Sequence, residues 1–449
     1  MNQRFKHVPF LARVSFTKIV FFGFALIVFI GGLLLMLPFA TVEGQTTTFL
    51  GAMFTSTSAT CVTGLVAYDT GTHWTLFGKI VIIVLIQIGG LGFVTLISIF
   101  FMMMKRDVGL KHRMIIMQST GALEMVGIIP FVKRVAKGTL VFELGGAFLL
   151  STVFIPKYGV AKGIWYSVFH SISAFCNAGF DLMGGYNSFV GERGNVILNL
   201  TLMTLISLGG IGFFVWSDVL KNKLNFKKYK LHTKIVVVCS LCLTFGGALL
   251  FFILEQNASL EGLPMKEKIL ASLFQSVTMR TAGFNTVDMA KLSNSGSLFC
   301  SFLMLVGGSP GSTAGGMKTT TFVVLVFAAV ASARRKNDVQ IFRRRIDKND
   351  VLTATAIGTL YLAIAFIAVV AISAFDGFSL KEIIFEVISA ENTVGITMGI
   401  TRDFSSFSKV ILLALMFIGR IGGLTLALLF LEEANSAPVS RPVEKILVG

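Results

Sequence analysis

The chain has 449 residues, of which 54% are hydrophobic and only 14% charged. Its mean hydropathy is +0.80, which excludes a water-soluble globular protein and points to one polytopic membrane domain. The formal net charge of +16 does not point to nucleic acid, because the basic residues sit in tight clusters between long apolar runs.

From the N terminus, a short basic lead with Arg4, Lys6 and Arg13 precedes the apolar run Phe16 to Leu37. No small-residue cleavage site follows a short apolar core there, so the run reads as a retained span rather than a signal peptide. Seven further long runs follow: Leu76 to Met104, Leu140 to Ile155, Val196 to Val219, Ile235 to Leu254, Leu298 to Ala333, Leu352 to Ala374 and Val410 to Leu431. A helix needs about 20 mostly apolar residues to cross a ~30 Å hydrocarbon core, which makes these runs candidate spans. One basic cluster precedes the first span, and others follow the second, fourth and sixth, around Lys105, Lys221 and Arg334. Excess Lys and Arg marks cytoplasmic loops, so the clusters and both termini are expected inside the cell.

Between the two spans of each pair lies a shorter run: Phe49 to Ala59, Ile164 to Ala174, Ile269 to Thr278 and Ile383 to Ala390. These are too short to cross and suit re-entrant helices dipping in from outside. Each ends at a polar segment with one glycine: TCVTGL (Thr60 to Leu65), FCNAGF (Phe175 to Phe180), MRTAGF (Met279 to Phe284) and ENTVGI (Glu391 to Ile396). A second echo lies in the later span of each unit, as IGGLGF (from Ile88), LGGIGF (from Leu208), VGGSPG (from Val306) and IGRIGG (from Ile418). Paired signals recurring four times mark an internal repeat.

The expected fold is an all-α integral membrane protein with eight transmembrane helices plus four re-entrant pore helices, in four pseudo-repeats around one pore. Repeat 1 covers 16–104, repeat 2 with its preceding cytoplasmic loop 105–220, repeat 3 221–333 and repeat 4 334–431, between a cytoplasmic N-terminus (1–15) and a cytoplasmic C-terminal tail (432–449). Cys239 and Cys242 form a C-x-x-C inside an apolar run with no preceding strand, which reads as helix packing rather than redox chemistry. The five histidines show no metal-ligand spacing, and His170 on the second re-entrant helix reads as a packing residue.

A bilayer interior cannot solvate free carbonyls, so non-helical backbone at that depth survives only where protein buries it or a watery cavity needs it. Four such turns around one axis can aim carbonyl oxygens inward and replace the hydration shell of a monovalent cation. The expected selectivity filter is Val62, Thr63 and Gly64; Asn177, Ala178 and Gly179; Thr281, Ala282 and Gly283; and Thr393, Val394 and Gly395. Glycine permits the unusual backbone such turns require. The short helices point C-terminal ends, each carrying about half a negative charge, toward the ion. The residues preceding the glycines are neutral, which fits a monovalent ion better than calcium.

The fourfold plan and the motifs TCVTGL, FCNAGF, MRTAGF and ENTVGI resemble the Trk/Ktr/HKT superfamily of potassium transporters, over Phe16 to about Leu431. The short segment before the first span makes the chain most similar to the KtrB-type membrane subunit of bacterial Ktr systems. The resemblance implies potassium uptake across the cell membrane, with potassium bound at the filter carbonyls and Gly64 favouring it over sodium. It also implies sodium stimulation, a homodimer embedded in membrane lipid, and a cytoplasmic KtrA-type nucleotide-binding regulatory ring.

The third unit interrupts its second span with GGSPGSTAGGMKTTT, residues 307–321, too rich in glycine, serine, threonine and proline for a continuous helix. In the resembling family an intramembrane loop here acts as a gate, which assigns Gly307, Gly308, Gly311, Gly315, Gly316 and Lys318 to it. The near-match to a phosphate-binding loop ending at Lys318 is rejected, since Met317 adds a residue and no strand precedes it. Arg420 stands within the last span, where an unpaired charge costs about 2.5 kcal/mol or more. The family places an arginine there against the gating loop, so Arg420 is expected to hold that loop closed. Arg280 and Glu391 flank the third and fourth filters and are expected to support them, either as a direct pair or by separate hydrogen bonds. The competing readings are the potassium-conducting subunit of an ATP-driven pump and a membrane enzyme, the latter disfavoured because no catalytic constellation is found.

Overall fold

A computed structural model describes residues 16–92, 95, 127–223, 225–336 and 338–422. Both termini and most of the expected cytoplasmic loop of repeat 2 lie outside the described residues. Each of the four units begins with a long outer helix: α1 (Phe16–Leu35), α4 (Ile128–Tyr158), α8 (Leu231–Glu255) and α12 (Lys348–Phe375). All four are long and apolar enough to cross a membrane. Phe22, Leu26, Phe148, Leu249 and Phe366 on these helices stay exposed, as a lipid-facing surface requires. α4 begins twelve residues before the expected Leu140 and takes up the basic residues Lys133, Arg134 and Lys137.

A pore helix follows in each unit: α2 (Phe49–Cys61), α5 (Val160–Phe175), α9 (Met265–Thr278) and α13 (Leu380–Glu391). Their starts are dictated locally. Thr48 caps α2 through its hydroxyl, and Ser379 with Glu382 closes a capping box on α13. Three units tie pore helix to outer helix in the same way: Ser56 donates to the Val28 carbonyl, Ser171 to that of Glu143, and Ser276 to those of Leu243 and Thr244. The outer helix presents glycine beside each hydroxyl, at Gly31, Gly146 and Gly247, where a Cβ would collide with the serine. Small residues thus let the backbones approach and satisfy a polar group away from water.

The inner helices are α3 (Leu76–Leu91), α6 (Val196–Gly210), α10 (Asn294–Leu305) and α14 (Ser406–Ile421). Each packs on the pore helix of the next unit: α3 on α5, α6 on α9, α10 on α13, and α14 back on α2. That last contact closes the four units into a ring.

The inner helices differ from the unbroken spans expected from hydropathy. α3, α6 and α14 stop beside Gly92, Gly212 and Gly422, whose φ angles are +79°, +97° and +97°. In unit 2 the chain turns by 97° into α7 (Phe213–Asn222), so Val196 to Val219 is not one straight span. In unit 3 the break widens to the loop between Leu305 and α11 (Thr319–Ala333). After α11 the chain forms a small hairpin in which β1 (Gln340–Ile341) pairs antiparallel with β2 (Arg344–Arg345). Phe342 and Arg343 both take positive φ there, as a two-residue hairpin turn demands.

Candidate functional site

The four pore helices end three to five residues before Gly64, Gly179, Gly283 and Gly395. The turns that follow meet at one centre. A Cβ on Gly64 would lie 2.7 Å from the Ala178 oxygen, one on Gly179 2.7 Å from the Gly283 Cα, and one on Gly283 2.9 Å from the Val394 oxygen. On Gly395 it would overlap the Thr63 oxygen and lie 2.8 Å from the Gly64 Cα. The order around the ring is therefore unit 1, 2, 3, 4 and back to 1, with all twelve expected filter residues buried.

The backbone of the turns repeats as closely as their positions. Val62, Asn177, Thr281 and Thr393, each two residues before its glycine, take φ of 58°, 59°, 65° and 51°. A left-handed conformation at β-branched Val or Thr costs about 1–3 kcal/mol and persists only where the surroundings impose it. Here the amides of Thr63, Ala178, Ala282 and Val394 donate to the carbonyls of Ser58, Ser173, Thr278 and Ser389, at 2.8 to 2.9 Å. The hydroxyls of those same four residues hold the next link. Ser58 and Ser389 accept from the amides of Gly64 and Gly395, while Ser173 and Thr278 donate to the carbonyls of Phe180 and Phe284. The four turns are thus clamped from behind by their own pore helices.

The second repeated motif is explained by what it touches. Cβ atoms on Gly89, Gly209 and Gly419 would overlap the carbonyl oxygens of Thr60, Phe175 and Glu391, at the base of the filter turns. The next position is glycine in three units (Gly90, Gly210, Gly308) and Arg420 in the fourth.

Below the turns lies the unit 3 loop. Ser309 and Thr313 amides donate to Gly210 and Gly209, and Phe213 donates to Gly311. Thr313 Oγ1 lies 3.1 Å from the Phe175 carbonyl and 3.2 Å from Asn177 Oδ1, directly under the second turn. On the other side Gly316 donates to Gly419, and Met317 to Asn392 Oδ1 at 3.2 Å. Gly307 binds back to the Met317 carbonyl, and Thr319 to Gly308, closing the loop on itself. The loop is thus pinned to units 2 and 4 beneath the ring. Arg420 donates to the Thr313 carbonyl and to those of Gly89 and Gly90, joining the loop to units 4 and 1. Lys318 bonds the Ala314 carbonyl at 2.7 Å and lies near enough to Arg420 for the two charges to interact.

Comparison with known proteins matches residues 3–440 to the family model of TrkH, a cation transport protein. The chain belongs to this family. It is 39% identical to the potassium/sodium uptake protein NtpJ of Enterococcus hirae, over 97% of this chain and 98% of that one. It is 40% identical to Ktr system potassium uptake protein B of Bacillus subtilis, over 94% and 95% of the two chains. The potassium transporter TrkH from Vibrio parahaemolyticus shares the fold, with a TM-score of 0.73 at 19% identity over 96% of this chain and 87% of its own. With four apolar helices of spanning length among the described residues, this TrkH-family member is a multi-pass membrane protein. The pump-subunit alternative gains no support from these relatives.

In this TrkH-family chain Arg280 does not pair with Glu391. Its guanidinium lies behind the third turn and donates to the Ser240 carbonyl and hydroxyl and to Thr244 Oγ1, all on α8 and at 3.0 to 3.2 Å. The outer helix of its own unit supplies the acceptors, so the direct-pair option fails and the separate-bond option describes Arg280. Glu391 is fully buried at the end of α13. His170 does more than pack: its Nε2 accepts from the Leu182 amide beyond the second turn at 3.0 Å. Glu386, at the same position nine residues before its glycine, accepts from the Met398 amide and from Thr397 and Thr401. Sequence reasoning missed this position and the clamping hydroxyl, which lies six residues before the glycine in units 1, 2 and 4 (Ser58, Ser173, Ser389) and five before it in unit 3 (Thr278).

Proposed function

We propose that the chain carries potassium ions into the cell across the plasma membrane, as the translocating subunit of a Ktr-type system, with both termini cytoplasmic. The observation that carries this reading is the closed ring of four glycine turns whose flanking carbonyl oxygens lie within contact of the neighbouring turn. A potassium ion that enters sheds water, and carbonyl oxygens of Thr63, Ala178, Ala282 and Val394 supply the replacement shell. Hydroxyls and amides behind the turns hold those oxygens in place, so little reorganisation accompanies binding. The C-terminal dipoles of α2, α5, α9 and α13 favour the cation without a carboxylate ring. Relatives named for potassium and for potassium/sodium uptake support potassium as cargo, and sodium stimulation is part of the same proposal.

The 307–321 loop acts as the gate. It lies in the path below the ring, Arg420 fastens it, and Arg420 with Lys318 sets positive charge in the way of a cation. Kinship to a Ktr system B protein supports a partner in the same system; in our proposal that partner is a cytoplasmic nucleotide-binding ring that releases the loop, and the assembled form is a homodimer. The test is growth of a potassium-uptake-deficient cell on limiting potassium while expressing this chain, with and without a KtrA-type partner. Rescue that depends on the partner supports the whole reading; rescue by neither combination overturns it.

A further inference from the structure

Outside the ring lies a cavity of about 850 Å³. Its walls include Val66, Asn285 and Met398, two or three residues past three of the filter glycines, so it is the outer mouth of the pathway. The charged side chains on its lining are Arg193, Lys291 and Arg402 against Glu261 and Asp288. This is a net positive set at the mouth of a cation pathway.

Arg193 is engaged with Glu267 of the next unit at 3.2 Å, whereas Lys291 has only Asp288 of its own turn at 3.9 Å. Arg402 likewise has only a local carboxylate but makes a further contact across the cavity. Its nearest carboxylate is that of the adjacent, largely exposed Asp403 at 3.8 Å, and its guanidinium lies over the Tyr186 ring, 4.9 Å from the centroid. Tyr186 belongs to unit 2 and Arg402 to unit 4, which are diagonal in the ring. A contact between diagonal units at this level spans the mouth.

Both ends of the contact are fixed. Tyr186 sits at φ +56°, and its amide donates to Asp69 Oδ2 of unit 1 at 2.9 Å. Asp69 Oδ1 is itself held by the Thr72 amide. On the other side Lys409 Nζ binds the Arg402 carbonyl at 2.7 Å, and the preceding Thr401 is bonded to buried Glu386.

We infer that Arg402, laid on Tyr186 across the outer mouth, is a positive charge that holds down the rate at which cations reach the ring. The inference rests on the transport reading above. A unit charge acting on a cation over about 8 Å of water-like dielectric changes its local concentration about two- to threefold, and salt screens the effect over ~8–10 Å. Arg402 is half-exposed, so its replacement leaves the core intact.

The test is rubidium tracer uptake by cells carrying the full chain, at matched expression, over a range of potassium concentrations. Arg402→Gln lowers the apparent KM about two- to threefold at low ionic strength, with the gain fading in high impermeant salt; Arg402→Lys retains the parental KM. Tyr186→Leu, which keeps the charge and frees it from the mouth, gives a smaller gain in the same direction. An unchanged KM in Arg402→Gln, or a change that persists at high salt, overturns the inference. Absence of uptake by the parental chain overturns the transport reading instead.

Discussion

Replacing Arg420 by alanine is the sharpest probe of the loop beneath the ring. The guanidinium bonds three carbonyls, but only the Thr313 bond reaches the loop; those to Gly89 and Gly90 join inner helices that stay when the loop moves. A hydrogen bond from a charged donor contributes about 1.5–3 kcal/mol, which corresponds to roughly a 10- to 150-fold change in the closed-to-open ratio. If the parental loop is open about 1% of the time, the variant is open roughly 10–60% of the time. The loop does not come free altogether, because Gly316 and Met317 remain tied to Gly419 and Asn392. The assay is initial rubidium flux into proteoliposomes without a regulatory partner, normalised to reconstituted protein. Arg420→Lys separates the two ways in which the residue acts. It keeps the positive barrier but loses the fork that spans Thr313 and Gly89, so an intermediate flux indicates that the contact matters and parental flux that the charge alone does. Unchanged flux in Arg420→Ala, with an unchanged thermal unfolding midpoint, refutes the reasoning.

Gly395→Ala places a methyl on the Thr63 oxygen at a backbone φ of +86°, so potassium uptake is expected to fall at least tenfold while the protein still inserts, as membrane-fraction immunoblots check. Ser58→Ala leaves the buried Gly64 amide without its 3.0 Å acceptor, a loss of about 1–3 kcal/mol. Its expected effect is a weaker preference for potassium over sodium in competition uptake, with less change in total flux. Arg280→Gln and Glu391→Gln are expected to be additive within about 0.5 kcal/mol in a double-mutant cycle on uptake, because Arg280 bonds Ser240 and Thr244 instead. His73, in the outer loop against Tyr68 and bonded to Thr47, has its pKa lowered from 6.5 by burial, with Asp69 opposing. The unfolded chain therefore binds the proton more readily, so stability is expected to drop as pH falls below that ordinary value. The acid loss should shrink in His73→Gln, measured by thermal unfolding in detergent.

Much of this architecture was legible before any coordinates, for a simple reason. The outer and pore helices are set by the length of apolar runs and by caps such as Thr48 and Ser379, which are local properties. The inner helices are not, because hydropathy scores IGGLGF as continuous with its helix, whereas Gly92 and Gly212 end theirs through a positive φ, Gly212 directly against the unit 3 loop, where a Cβ would lie 2.8 Å from the Pro310 oxygen. The left-handed residues of the turns run against propensity: Val62, Thr281 and Thr393 are β-branched, and tertiary clamping overrides their preference. The partner of Arg280 depends on which face of α8 meets the third turn. That is a packing fact with no trace in the spacing.

On the proposed reading the ring is regular where it would meet the ion and irregular where the unit 3 loop lies below it, and both follow from covalent joining of the four units. Every turn has its glycine, a left-handed residue two before it and a clamping hydroxyl, which accepts from the glycine amide in units 1 and 4 and donates to the carbonyl after the glycine in units 2 and 3. A loop that fills the cavity beneath can come from one unit only, since four copies of residues 307–321 would compete for one space. Once unit 3 supplies it, its neighbours in the ring must differ from one another to receive it. Unit 2 offers the carbonyls of Gly209 and Gly210, and unit 4 offers Asn392 and Gly419 with Arg420 where the other units have glycine. An assembly of four identical chains has no means of placing a single arginine in that way. Under the proposed gating, the Arg420 that replaces glycine in the last repeated motif is therefore the mark, in the sequence, of a pathway closed from one side by one loop.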